Sequence, residues 1–186
     1  GKSYKGGPTN QLVFNFKCKP TVAAANTGRA HYKNQAVQTI ANGMRRVIGQ
    51  QNAERYTWVP IPPSKATGDP DYDDRLLRTL RIAFQGYNAD IRPLIRQTES
   101  TPADHEQECR LTRDALHAVL EVDMAILQLA PLREGIILVD DVLNSGKHFK
   151  ESQRRLRHAI PDIAIAGIFV ARCIHQNPAD DFDVIA

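Results

Sequence analysis

The 186 residues are enough for one domain with a sizeable core and too few for two ordinary ones. Hydrophobic residues make up 42% and charged residues 24%, and the net charge of +3 gives no compositional reason to invoke nucleic acid. No apolar run, "IAIAGIFVA" included, reaches the length of a membrane span, so no membrane partner is expected.

Cys18, Cys109 and Cys173 are widely separated and form no C-x-x-C pair. That argues against a zinc site or a disulfide framework and for a reducing, cytoplasmic compartment. No signal-peptide pattern opens the chain, and a start at Gly1 rather than Met fits a trimmed fragment or a tag scar.

Taken in chain order, residues 1–10 are expected to be mobile, their opening being rich in glycine and lysine. "LVFNF" (Leu12 to Phe16) alternates weakly and reads as a strand. From Asn34 the spacing of Val37, Ile40, Ala41, Met44, Val47 and Ile48 predicts a helix with one apolar face. "RYTWVPIP" (Arg55 to Pro62) is β-branched and aromatic and stops at two prolines, as a buried strand entering a loop does. Trp58 within it is read as core rather than as a base-stacking platform. A polar loop leads to a second helix carrying Leu76, Leu77, Leu80, Ala83 and Phe84.

"IRPLI" (Ile91 to Ile95) predicts a strand, placed at an edge by Pro93. The stretch from Arg96 to Arg113 is polar, lacks apolar periodicity and is long for a connector, which marks it as functional or disordered. "AVLEV" (Ala118 to Val122) alternates, and "GIILVDD" reads as a central strand ending in its two acids. Phe149, Ser152, Leu156, Ala159 and Ile160 mark a helix, and "IAIAGIFVAR" (Ile163 to Arg172) and the terminal "FDVIA" read as closing strands. Alternating helices and strands with mostly short loops predict an α/β fold with a mainly parallel sheet flanked by helices, one domain over residues 1–186.

In such sheets ligands bind beyond the carboxyl ends of the strands. Asp140, Asp141 and the turn Asn144-Ser145-Gly146-Lys147 fall there. Adjacent carboxylates are costly to place together unless they meet cations or hydroxyl donors. They can accept hydrogen bonds from sugar hydroxyls or help hold Mg²⁺ through water. The turn offers backbone N–H groups, and a helix starting near His148 adds its positive end, which suits a phosphate. Together these features describe a sugar-phosphate site; an ordinary strand-to-helix turn uses the same residue types.

"ILVDDVLNSGK" resembles the phosphoribosyl diphosphate (PRPP) motif of the type I phosphoribosyltransferases. "VPIPPSK" (Val59 to Lys65) is similar to that family's diphosphate-holding strand and loop, and its proline-rich form resembles the ComF-like branch. "DDRLLRTL" matches that branch's arginine-bearing helix, residues 91–122 its long loop, and "IAGIFVARC" its closing strand. The resemblance covers most of Val59 to Cys173 and implies a three-layer, Rossmann-like transferase fold with residues 12–28 as a hood or edge element.

What it implies for the site is specific. Asp140 and Asp141 would contact the ribose hydroxyls and Mg²⁺, and Asn144, Ser145, Gly146, Lys147 and His148 would wrap the 5′-phosphate. Ser64 and Lys65 would meet the diphosphate, and Arg110 and Arg113 would close over it from the long loop. From the residues alone Lys65 reads equally as a solvated loop lysine, and the two arginines read first as helix-surface residues. The implied activity is Mg²⁺-dependent transfer of phosphoribose from PRPP to an unidentified acceptor, in a cytoplasmic protein of a family where homodimers are common.

The chain departs from the pattern at His148, where a Thr or Ser usually stands. It departs again at Asn144, where purine-base transferases often carry an acid, and it lacks the cysteine-rich zinc module that usually opens the ComF branch. These departures suit a second reading, a PRPP- or nucleotide-binding module without catalysis in a DNA-uptake or defence setting. A nucleic-acid partner has only Arg75, Arg78, Arg81, Arg154, Arg155 and Arg157 in its favour, residues that more often form a solvated helix face.

Overall fold

In a computed structural model of the chain, residues 7–101 and 112–174 are described. The terminal strand expected at "FDVIA", together with Cys109 and Arg110, lies outside the described residues.

Three helices precede the first strand. α1 (Pro8–Phe16) and α2 (Pro20–Ala25) each carry proline in the first turn, where a missing N–H costs nothing because no helical partner exists for it. Leu12 to Phe16 is therefore helical, not a strand, and helix already begins within residues 1–10. The i,i+4 pair Leu12 and Phe16 explains the difference: both face the core, and Phe16 is fully buried.

α3 (Thr27–Arg55) starts before Asn34 because the Asn26 side chain caps it, accepting from the Arg29 N–H at 3.0 Å. Val37, Ile40, Ala41, Met44 and Ile48 are buried as their spacing predicts, but Val47 is 82% exposed. Gly49, at φ 70° and ψ 167°, breaks the helical path, a conformation that glycine adopts without a Cβ penalty.

The main sheet has the order β2 (Asp90–Ile91), β1 (Thr57–Pro60), β5 (Ile136–Leu143), β6 (Ile165–Arg172), and all its pairings are parallel. Parallel neighbours need crossovers, supplied here by α4 (Arg75–Ala83) and α7 (Lys147–Ala159). The stretch Ile91 to Ile95 is not one strand. Pro93 has no N–H to continue the ladder, and the chain leaves β2 for a separate antiparallel ribbon of β3 (Ile95–Gln97) and β4 (Leu120–Val122). Ala118 and Val119 belong to α5 (Arg113–Val119), so the strand expected from Ala118 begins only at Leu120. A short helix, α6 (Met124–Leu127), follows under an Asp123 cap.

Both faces of the sheet are covered, which makes three layers. Alternation along β5 sends Ile137 and Val139 toward α3 and α4, with Trp58 and Phe84, and Ile136 and Leu138 toward α5 and α7, with Leu116 and Leu156. Trp58 is 1% exposed and donates from Nε1 to the Ala53 carbonyl at 2.9 Å, so it is core. The first turn of α7 is braced by Phe149, whose ring lies edge-on to Phe169 with centroids 5.8 Å apart. Gly167 makes room for that ring: a Cβ there would sit 2.6 Å from Phe149 Cε2. Gly167→Ala is expected to lower stability by about 1–3 kcal/mol in urea unfolding, as overpacked sites do. Unchanged stability would mean that the ring does not brace α7.

Candidate functional site

β1 continues to β2 on one side of the sheet, while β5, its other neighbour, continues to β6 on the opposite side. The order therefore reverses between β1 and β5, the place where open α/β sheets form a crevice beyond the strand ends. A cleft of about 700 Å³ lies there. It is bounded by the loop after β1 (Ile61 to Lys65), the end of β5 with its turn (Asp140 to Val142 and Asn144 to His148), and α1–α2.

β5 does not end at its acids. β1 pairs with it only as far as Pro60 opposite Val139, and the Ile61 N–H closes that edge on the Val139 carbonyl at 2.9 Å. β6 keeps pairing, with Asp140 opposite Phe169 and Leu143 opposite Arg172. Both carboxylates thus ride on a strand supported on one side and open to the crevice on the other. That rigid backing is more exacting than the strand-end turn read from the sequence.

Strand alternation also separates the two acids. Asp141 faces α4 and α1, where it is 6% exposed. Arg75 Nη2 in α4 donates to Asp141 Oδ2, and Lys17 Nζ, one residue beyond α1, lies 3.4 Å from Oδ1. Lys17 gets there because its neighbour Phe16 is anchored in the core, with Arg75 above the Phe16 ring at 5.6 Å. Asp140 is only half-buried, and its Oδ1 accepts from the Asp141 N–H at 2.8 Å.

The environments push the two carboxyls apart. Burial raises Asp140 to about 7, and the neighbouring Asp141 charge adds to the rise. Burial also opposes ionisation of Asp141, but Arg75 and Lys17 outweigh it and hold that carboxyl below the usual range. Near neutral pH the pair therefore consists of one firm anion and one carboxyl in mid-titration.

A second buried carboxylate supports Arg75. Asp73 is 6% exposed and its Oδ2 takes Arg75 Nη1 at 3.0 Å and Lys33 Nζ at 2.6 Å. Lys33 also donates to the Cys18 carbonyl, which ties the segment between α1 and α2 to α3. Burial holds the Lys33 ammonium below its usual pKa, against the Asp73 ion pair that favours its charge. Lys33, Asp73, Arg75, Asp141 and Lys17 form a chain of alternating sign beneath the cleft. Buried charges persist only when paired this way.

Opposite the acids, Gly146 at φ 69° precedes α7, which starts without a side-chain cap. The left-handed turn lets the backbone swing from strand to helix, and Gly146, Lys147 and His148 at the uncapped start of α7 line the cleft. Several hydrogen bonds from such amides to an anion, each about 1.5–3 kcal/mol, would exceed the dipole contribution of roughly 0.3–2 kcal/mol. The loop after β1 is pinned from β3: the Ser64 carbonyl accepts from the Thr101 N–H and from Gln97 Nε2, both at 2.7 Å.

The structure therefore brings Ser64, Lys65, Asp140, Asp141, Asn144, Ser145, Gly146, Lys147 and His148 to one cleft. It does not bring Arg113 there. Arg113 opens α5 and donates from Nε to Glu151 Oε1 at 2.8 Å, lining a different cleft. Sequence reasoning missed Lys17, Lys33, Asp73 and Arg75. Arg75 had been grouped with solvated arginines, although it sits four residues before the buried Thr79 and beside Leu76, on the inward face of α4. Phe14 borders the mouth of the cleft, 45% exposed, with the Arg29 guanidinium 4.6 Å from its ring centre.

Among the described residues no three His, Cys, Asp or Glu side chains gather as a metal cluster. Cys18 and Cys173 are free thiols, and no described helix is long and apolar enough to cross a membrane. The sequence matches no protein-family model, and a search of curated proteins finds no match.

Proposed function

We propose that the cleft binds PRPP and that the protein transfers its phosphoribosyl group to an acceptor, releasing diphosphate. One observation carries this reading: an acid pair, an uncapped helix start behind a glycine turn, and the Ser64–Lys65 loop border the same crevice at the reversal of strand order. A sugar carrying phosphate at one end and diphosphate at the other needs those three features in that relation.

In this proposal Asp140 and Asp141 accept hydrogen bonds from the ribose hydroxyls. The Ser145 to His148 backbone holds the 5′-phosphate, with Lys147 adding charge. Ser64 and Lys65 meet the diphosphate. A nucleophile's lone pair forms a bond to C1′ as the C1′–O bond breaks, and the electron pair leaves on the diphosphate. Lys65 stabilises that charge, and the fixed ends of the substrate keep attack and departure in line.

The donor set suits Mg²⁺ arriving with its ligand rather than resident beforehand. Two hard carboxylates, one already neutralised by Arg75 and Lys17, are too few for a complete cage but enough for an ion that brings phosphate oxygens and water. Bound there, the ion would neutralise developing charge on the diphosphate.

Asn144 favours a second reading. An amide cannot take the acceptor's proton, and without another base the same cleft would sense PRPP or a nucleotide, in a DNA-uptake or defence setting like that of ComF-like proteins. A diphosphate-release assay with Mg²⁺, PRPP and a panel of purine, pyrimidine and amine acceptors separates the readings. Release with one acceptor supports transfer. Saturable PRPP binding without release from any acceptor supports sensing, and absence of PRPP binding contradicts both.

A further inference from the structure

The arginines grouped together by sequence part company in the structure. Arg75 is at Asp141, Arg78 pairs with Asp74 at 2.7 Å, and Arg155 donates twice to the His117 carbonyl at 2.6 and 3.0 Å. Arg154 and Arg157 instead join Arg113, Lys150, Gln153 and His158 around an open cleft of about 510 Å³ between α5 and α7. Among the described residues, those lining it include no carboxylate and no apolar side chain.

Beneath that cleft lies a group the catalytic proposal does not use. Glu151 is fully buried in α7. Its oxygens are met by Arg113 Nε at 2.8 Å and Arg154 Nη1 at 3.4 Å, while His117 Nδ1 lies 3.3 Å away without a hydrogen bond. Burying a carboxylate is unfavourable unless it is paired, and its two arginine partners are about half exposed, 56% and 48%, on the cleft wall. Each guanidinium is held by part of its fork, which leaves further N–H donors on half-exposed heads that line the cleft. The arrangement orients two arginines from below, as an outer carboxylate orients a ligand-binding side chain.

Lys150 and Arg157 extend the array. Both are exposed, and neither side chain has a hydrogen-bond or ion-pair partner among the described residues. With Arg154 they stand at positions i, i+4 and i+7 of one helix, a row about 10 Å long at 1.5 Å per residue. Among the described residues these four cations meet two carboxylates, Glu151 beneath them and the exposed Asp114, which lies 3.6 Å from Arg154.

We propose that this α5–α7 cleft binds the phosphate backbone of a nucleic-acid strand, with Arg113, Lys150, Arg154 and Arg157 as phosphate contacts and Glu151 positioning the two arginines it holds. A row of cations in an open cleft suits successive phosphates of a strand better than one small anion, which calls for an enclosed site. A membrane surface is disfavoured, because a helix lying on lipid needs apolar residues to bury and the described lining of this cleft offers none. The proposal is independent of the PRPP reading and uses no residue of that cleft.

Fluorescence anisotropy with a labelled 20-nucleotide single-stranded DNA tests it on the full chain. Four phosphate contacts give a log–log salt slope of about −2.8, so affinity should fall about 50-fold between 50 and 200 mM salt. Lys150→Glu combined with Arg157→Glu should weaken binding at least tenfold and roughly halve the slope. Both side chains are exposed and unpaired among the described residues, so the melting temperature should not change. Saturating PRPP should leave the oligonucleotide bound. The proposal is overturned by any of four results: no binding at 50 mM salt, binding indifferent to the double substitution, displacement by PRPP, or equal competition by polyglutamate or phosphatidylserine vesicles of matched charge.

Discussion

Asp140→Asn is expected to stabilise the protein at pH 8 by about 2–4 kcal/mol, while it removes a ribose contact in the proposed function. The folded carboxyl keeps its proton up to about 7, whereas the unfolded chain releases it near the ordinary carboxylate value of 3.8. Between those values the folded state binds more protons, so stability falls as pH rises, and the full cost is present above 7. Asparagine carries no charge to bury, and its carbonyl can still accept the Asp141 N–H that Asp140 Oδ1 accepts now. Urea unfolding at pH 4, 6 and 8 should show wild type and variant nearly equal at pH 4 and diverging above it. A variant less stable than wild type at pH 8 would contradict this account of Asp140. A group that weakens its own fold at working pH is what a binding site retains for its ligand.

Arg75→Met should have the opposite sign and a larger size, a loss of about 3–5 kcal/mol at pH 7, because one substitution takes a charged partner from each of two buried carboxylates and leaves them only Lys33, Arg78 and Lys17. The part of the pH dependence that Asp141 contributes should invert as well, adding to the loss that Asp140 already brings as pH rises. In the wild type Asp141 is held below its ordinary value, so it contributes stability above about 3.8 that is lost as pH falls through the depressed folded value. Without Arg75, burial dominates Asp141 and raises its pKa. The variant should then lose stability as pH rises through neutrality. Chemical denaturation from pH 3 to 8 reads both effects; a variant with the wild-type profile and a loss under 1 kcal/mol would show that Asp141 does not depend on Arg75.

These two residues also mark where the sequence could and could not be read. "IILVDDVLNSGK" was legible because a four-residue apolar run, two acids and a glycine turn each carry local physics, and the structure places them on β5 and ahead of α7. That the acids lie inside the strand was not legible, since it depends on β6 outlasting β1, a property of pairing. Arg75 and Lys17 were missed for the same reason: their partner Asp141 is 66 and 124 residues away.

The helical start of the chain did leave a signal, proline one position into each of α1 and α2, but the short apolar stretch Leu12 to Phe16 fits either period. The resemblance implies a diphosphate contact for Arg113, while its residue type alone reads as a helix-surface arginine, and the structure has it half-exposed at the start of α5. Its partner Glu151 sits inside a helix whose exposed face is almost wholly basic, where nothing local announces a fully buried acid.

The claim on which the account rests is that the crevice between β1 and β5 takes PRPP through its acid pair. Titration calorimetry at pH 7.5 with Mg²⁺ and PRPP tests it most directly. Wild type should bind one equivalent saturably. Asp140→Asn, folded and more stable, should bind at least tenfold more weakly, and Lys150→Glu with Arg157→Glu should bind as wild type does. No heat of binding in wild type, or equal affinity in wild type and Asp140→Asn, would contradict it.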